Sequence, residues 1–340
     1  MNGQQSSTRS LKPALTLMLL APIVAEVLSG ATRLSYIFVL IPEILVWGGG
    51  ALIIRELVRR WGGGWVSMFL LGLALSVAEE TIIQQTSLAP LPWLANHLMY
   101  GRVWGVNWVY FLFMLGYESV WVVLAPVQLT ELIFPRRRDE PWLRRGQLIA
   151  VCVLFLLGSY IAWFAWTQRA RPITFHVAKY NPPALDVILG VLAIAALTGL
   201  AYAFRAATPR QDPSRKTSPW LAGLAALPLG FAWYALITLV FVPRMFLPMW
   251  IPMAGGIAWA ALAFFLVRRW GSSAGWGDRH RWALVFSVIL VCMAAGFSGS
   301  SAWPRMDIIA KFIFNLIAIV LLLLLGRKII DREGKNFNLP

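Results

Sequence analysis

Acidic residues are scarce in this sequence: fifteen stand against 30 basic ones in 340 positions. Cysteine occurs twice and histidine three times. Two cysteines, Cys152 and Cys292, both set in apolar runs, supply no spacing for a disulfide framework or a zinc site, and read as small core residues. The sequence contains no GxxxxGK[ST] loop, no GxGxxG following a strand and no HExxH, so nucleotide-binding and zincin readings have no footing. It also lacks any polar stretch long enough for a soluble domain of useful size.

What fills the chain instead is apolar. Hydrophobic residues make up 59% and charged residues only 13%, with a mean hydropathy of +0.68. Runs of about 20 such residues recur to the end, the signature of a multi-pass helical membrane protein. Ten spans are predicted, near 14–30, 36–54, 65–87, 106–133, 148–167, 185–204, 219–242, 248–267, 282–299 and 307–326. The fold class is therefore all-α, a polytopic transmembrane bundle of about ten spans. The sequence divides into a first four-helix unit (1–135), a basic linker (136–147) and a six-helix remainder of the same membrane domain (148–340).

Basic residues stay on the cytoplasmic side of a membrane. With the amino terminus inside, 22 basic residues fall on inner segments, seven on outer loops, and Lys311 lies within the last span. Both termini are thus expected in the cytoplasm, and a multi-pass cell-membrane location follows. Tryptophan agrees: Trp61, Trp65, Trp142, Trp220, Trp270 and Trp282 mark inner ends, and Trp93, Trp104, Trp108, Trp166, Trp250 and Trp303 outer ones. The net charge of +15 reads as topological. It could draw "PRRRDEPWLRR" (135–145) toward anionic lipid, but its loop-by-loop distribution argues against a nucleic-acid partner. The first span also has the basic flank of a signal peptide, although Glu26 interrupts its apolar segment.

Carboxylates inside hydrocarbon are expensive and mark functional or protein-buried sites. Each of the first four spans carries at least one: Glu26, Glu43, the adjacent pair Glu79 and Glu80, and Glu118. At about 1.5 Å per residue they lie roughly 6, 10, 10 to 12 and 18 Å below the outer end of their helices. The one basic residue at like depth, Lys311, has Asp307 at i−4 as its expected partner. Five carboxyl groups with so little buried positive charge cannot all be ionised in a dry site. Glu80 falls on a small and polar stripe with Gly72, Ser76 and Gln84, whereas Glu79 sits among Leu75, Ile82 and Ile83. Asn107 and Glu118, eleven residues apart, share a helix face. Pro22, Pro42 and Pro126 are positioned to free backbone carbonyls near the same cluster. In the outer loop 90–108, His97 could complete a metal site or be a solvated loop residue, and Arg102 is expected to compensate the carboxylates.

The segments "EETIIQ" (79–84) and "FMLGYE" (113–118) resemble the motifs of the CAAX protease and bacteriocin-processing family of glutamic intramembrane proteases, over about residues 36–134. The family pattern is EExxxR, then FxxxH, then a later helix with histidine and often asparagine. Here Gln84 replaces the arginine, Tyr117 stands four residues after Phe113, and no later span contains histidine. The resemblance implies that Glu79 and Glu80 activate water against a membrane-embedded or lipidated peptide. It also implies either a catalytically silent member or one in which Gln84, Asn107 or Tyr117 replaces the lost histidines. Two classes stay open from residues alone: a proton- or cation-coupled transporter or ion-binding protein using the same glutamates, and glutamates that only hydrogen-bond helices together. A five-plus-five inverted repeat finds little support, because the acidic residues crowd into the first four spans. Membrane lipid is the one partner the composition names, and no cofactor or metal is assigned.

Overall fold

The computed structural model describes residues 10–90, 92, 100–206, 212–214, 216–241 and 247–337; His97 lies outside them. Among the described residues ten helical segments follow one another. They are α1 (Lys12–Pro22, continued by a π turn Ile23–Val27), α2 (Leu34–Arg60), α3 (Trp65–Ile83), α4 (Trp108–Ile133), α5 (Arg145–Ile173), α6 (Ala184–Ala206), α7 (Pro219–Val240) and α8 (Trp250–Gly271), then α9 (Asp278–Ala295) and α10 (Arg305–Phe337). The chain is a multi-pass helical membrane protein.

Eight of the ten are long and apolar enough to cross a membrane unaided. Of the other two, α9 is largely interior and α1 is half enclosed, with Leu15 and Leu19 exposed on one face. α1 is short, and α9 opens with Asp278, Arg279 and Arg281; Leu17 and Ala21 of α1 and Val291 and Cys292 of α9 are fully enclosed. By contrast α5, α6 and α8 bury only 17%, 11% and 11% of their apolar windows, so their leucine and isoleucine side chains face the lipid phase. Close approach is set by glycine: a Cβ on Gly48 of α2 would meet the Met18 carbonyl oxygen of α1 at 2.1 Å, and one on Gly72 of α3 would meet Ser119 Cα of α4 at 2.9 Å.

Both described ends of the chain lie at one face. Arg137 Nη1 donates to Ser10 O at 2.8 Å, and Arg332 Nη2 to Leu132 O at 3.3 Å. At the opposite face Ser35 donates through its backbone N–H and hydroxyl to Asp307, at 2.9 and 2.8 Å. An even number of crossings is what this requires.

The boundaries depart from the sequence expectation in identifiable places. α3 stops at Ile83, not 87, because Gln85 takes a positive φ of 60°. α4 begins at Trp108, not 106, because residues Arg102–Val103 and Val106–Asn107 form a two-stranded antiparallel hairpin, β1 and β2. Its turn, Trp104-Gly105, has φ of 50° and 83°, the doubly left-handed geometry that matches strand twist.

Candidate functional site

Each of the first four helices contains one π turn, and each of these turns bears a glutamate or directly follows one. Glu26 lies in the π turn Ile23–Val27, Glu43 immediately precedes Ile44–Gly48, Glu79 and Glu80 open Glu79–Ile83, and Glu118 opens Glu118–Leu124. A π turn holds one extra residue, widens the backbone, and occurs often at functional sites. Proline contributes locally: Pro22, lacking an N–H, leaves the Met18 carbonyl unpaired by its own helix, and that carbonyl is the one pressed against Gly48. A fifth π turn, Phe164–Ala170 on α5, carries no acid, so the coincidence belongs to the first four helices.

The turns bring the glutamates together. Glu79 stands within electrostatic range of Glu80 and Glu43, Glu26 within range of Glu43 and Glu79, and Glu118 within range of Glu79, Glu80 and Glu26. Glu43, Glu79, Glu80 and Glu118 are buried, with at most 3% exposure, and Glu26 is half-buried.

Their bonding is uneven. Glu80 is fully engaged: Thr86 Oγ1 lies 2.9 and 2.8 Å from its two oxygens, and Ser87 Oγ donates to Oε2 at 2.5 Å. Glu43 accepts from the Thr32 hydroxyl through one oxygen only. Both oxygens of Glu79 and both of Glu118 are buried with no hydrogen-bond partner; the Ser76 hydroxyl is close enough to act on Glu118, yet no bond of ordinary geometry closes between them. An ionised carboxylate without a partner in such a place costs on the order of several kcal/mol. Among the described residues no three Asp, Glu, His or Cys side chains converge as metal ligands would.

The remaining sequence candidates are placed differently from expectation. Arg102 donates to the Leu88 carbonyl at 2.6 Å; burial pulls its guanidinium below the usual arginine value, and the charged group acting on it is Tyr180, not a glutamate. Lys311 does not pair with Asp307. Its Nζ donates to Leu28 O at 2.6 Å and sits 4.6 Å from the Phe297 ring centre, while Ser35 takes Asp307. Asn107 is a helix cap, its side-chain oxygen accepting from Tyr110 N at 3.0 Å, because α4 starts after it. It touches the cluster indirectly: its backbone N–H donates to Ser87 O at 2.9 Å, and Ser87 holds Glu80. The Tyr117 hydroxyl is committed to Ala25 O. Gln84 is half-buried and makes no side-chain hydrogen bond among the described residues, since the π turn beginning at Glu79 shifts it off the stripe inferred from an even helix.

Beside Glu118, at the depth of the cluster, stands a layer of aromatic rings. Phe113, Tyr117 and Trp121 stack along α4 at centroid separations of 5.5 and 5.6 Å, and Tyr234 of α7 meets all three edge-on. Beneath it, at the basic face, lies a buried ionic knot that sequence reasoning treated as topology. Arg55 is wholly buried, bonds Glu56 at 3.2 Å and Glu131 at 3.3 Å, and donates to the carbonyls of Glu140, Arg138 and Arg137 at 2.7, 2.7 and 3.2 Å. Its guanidinium lies 3.5 Å from the ring centre of Trp142, so Trp142 is a stacking plate and no interfacial anchor. Arg59 grips Glu131 with 2.7 and 2.9 Å bonds. The available signal was the spacing Arg55, Glu56, Arg59 inside an apolar run, paired with Glu131.

Residues 15–331 match a family described as an uncharacterized membrane protein family. No curated protein and no solved structure matches the chain.

Proposed function

We propose that this chain, which belongs to that uncharacterized membrane protein family, binds and relays protons through its carboxyl cluster, as a proton-coupled membrane transporter would. The observation that carries the reading is the set of four buried oxygens on Glu79 and Glu118 that have neither donor nor cation, each group at the opening of a π turn. A carboxyl group in that state holds its proton until a neighbour can take it. Glu80, with three contacts from Thr86 and Ser87, is the member best equipped to bear negative charge. Glu43, bonded on one oxygen by Thr32, is the second.

Peptide hydrolysis, as in the glutamic intramembrane proteases the chain resembles, is favoured by one feature, the adjacency of Glu79 and Glu80. Against it, the Tyr117 hydroxyl already donates to Ala25 O, so of these two candidate donors only the Asn107 amide nitrogen, buried without a partner, is uncommitted toward an oxyanion.

Proteoliposomes of the full chain with a pH dye in the lumen and an imposed potassium diffusion potential test the proposal. Proton uptake is expected in the wild type and loss of it with Glu79→Gln combined with Glu118→Gln. Equal uptake by the two proteins refutes the relay. Cleavage of a quenched fluorogenic peptide with an apolar flank, abolished by Glu80→Gln, would favour hydrolysis.

A further inference from the structure

On the other side of the aromatic layer, between α3, α4, α7, α8 and α9, opens a half-enclosed cavity of about 550 Å³, inside the roughly 300–1,000 Å³ range of ligand pockets. Its interior is apolar, walled by Phe69, Trp121, Leu124, Trp259, Phe264 and Val288. Its rim is charged and lies at the basic face, where Arg59, Arg138 and Arg281 meet Glu131 and Asp139, with Trp270 and Trp276 beside them.

The rim's carboxylates, Glu131, Asp139 and the neighbouring Asp278, match its arginines in number, but the pairing is uneven. Arg59 is satisfied by Glu131, which also serves Arg55. Asp278 must serve two guanidiniums: it accepts from Arg138 Nη2 at 2.6 Å, and Arg281 Nη1 is 4.0 Å away. Arg281 makes no side-chain hydrogen bond among the described residues and stands within electrostatic range of Arg138 and Arg59 as well as of Asp278 and Glu131. Arg138 Nε is buried with no partner. An arginine with unused donors, beside a second guanidinium, at the mouth of an apolar cavity and at the depth where interfacial tryptophans collect, matches an amphiphile with a phosphate head.

We propose that this cavity binds an anionic phospholipid from the leaflet on the basic side, with its acyl chain between α4 and α8 and its phosphate on the Arg281 guanidinium. The site is separate from the glutamates and does not rest on their proposed role. The leaflet facing the cytoplasm is the one rich in anionic lipid, and the positive-inside rule puts this rim there.

The test uses the full chain in mild detergent with dioleoylphosphatidylglycerol as probe, read by native mass spectrometry and by quenching of tryptophan fluorescence with the brominated-acyl form of the same lipid. One lipid per chain is expected, bound at least roughly tenfold more tightly than dioleoylphosphatidylcholine, the factor a charge-assisted hydrogen bond provides. Arg281→Gln should weaken binding by roughly tenfold. Ala263→Trp, which fills the cavity without touching the rim arginines, should abolish it, with the melting temperature reporting that each variant folds. Equal affinity for the two lipids, or retention of binding by both variants, overturns the proposal. So does displacement of the lipid by inorganic phosphate alone, which would assign the rim to a free anion. A lipid-free dimer mass would also overturn it, giving the cavity to a second copy.

Discussion

Replacing Arg55 by methionine keeps the length and apolar stem of the side chain and removes its charge and fork. Glu56 and Glu131, at 0% and 1% exposure, would then each lose a cation, though Arg60 and Arg59 still reach them. Removing one partner of a buried ion pair costs about 3–5 kcal/mol. The carbonyls of Arg137, Arg138 and Glu140 also lose their donor, at about 1–3 kcal/mol for each that water cannot reach, and the Trp142 ring loses its cation, worth about 2 kcal/mol when desolvated. A loss of at least about 4 kcal/mol follows, which at about 2 °C per kcal/mol for a large chain lowers Tm by roughly 8 °C. The chain supplies its own reporter: Cys292 is fully buried, so in a Cys152→Ser background a thiol-reactive fluorophore labels it only as the bundle opens. Arg55→Lys, which keeps charge without the planar fork, should fall between methionine and wild type, and Arg144→Gln, at an exposed site, should melt like wild type. A Tm for Arg55→Met within about 2 °C of wild type would refute the reasoning, because no buried ion pair of this connectivity loses a member so cheaply.

Asn107→Ala removes the side-chain cap of α4 and should destabilise by about 1 kcal/mol, seen in the same melt, with proton uptake retained because the backbone N–H that donates to Ser87 O survives. Gly72→Val would drive a Cβ into Ser119, where 2.9 Å separates it from Cα; lower Tm and loss of proton uptake are expected, and unchanged uptake would detach the α3–α4 contact from the site. A reporter fused at Ser218 should signal a cytoplasmic location, and an outside signal would overturn the orientation drawn from basic residues.

Most of the ten helices were legible because lipid imposes one rule on a span, about 20 apolar residues closed by basic or proline-bearing loops, a rule that eight of them meet. The intramembrane acids were legible for the same reason, each being an exception to that rule. Their partners were not. Gln84 was assigned to the face of Glu80 by counting 3.6 residues per turn, and the π turn at Glu79–Ile83 breaks that count. Lys311 and Asp307 are one turn apart on one helix, yet each found a closer partner on a distant segment, Leu28 and Ser35; local spacing carries no information about such contacts. Thr86 and Ser87 looked like the end of a span, and only the positive φ of Gln85 turns them back onto Glu80. Arg55 was counted as one more cytoplasmic charge, because nothing in a sequence distinguishes an arginine that stops translocation from one folded under a tryptophan.

The ionic knot has a mechanical consequence. Arg55 on α2, Glu131 on α4 and the chain that joins α4 to α5 are tied at one point of the basic face, and prising them apart there would strip buried charges of their partners. At the other end of the same helices the turns are uneven and several oxygens are bonded to nothing. A rod clamped at one end and loosely seated at the other bends about the clamp. Splaying of the first four helices is therefore least costly at the glutamate end, with the basic face as fulcrum.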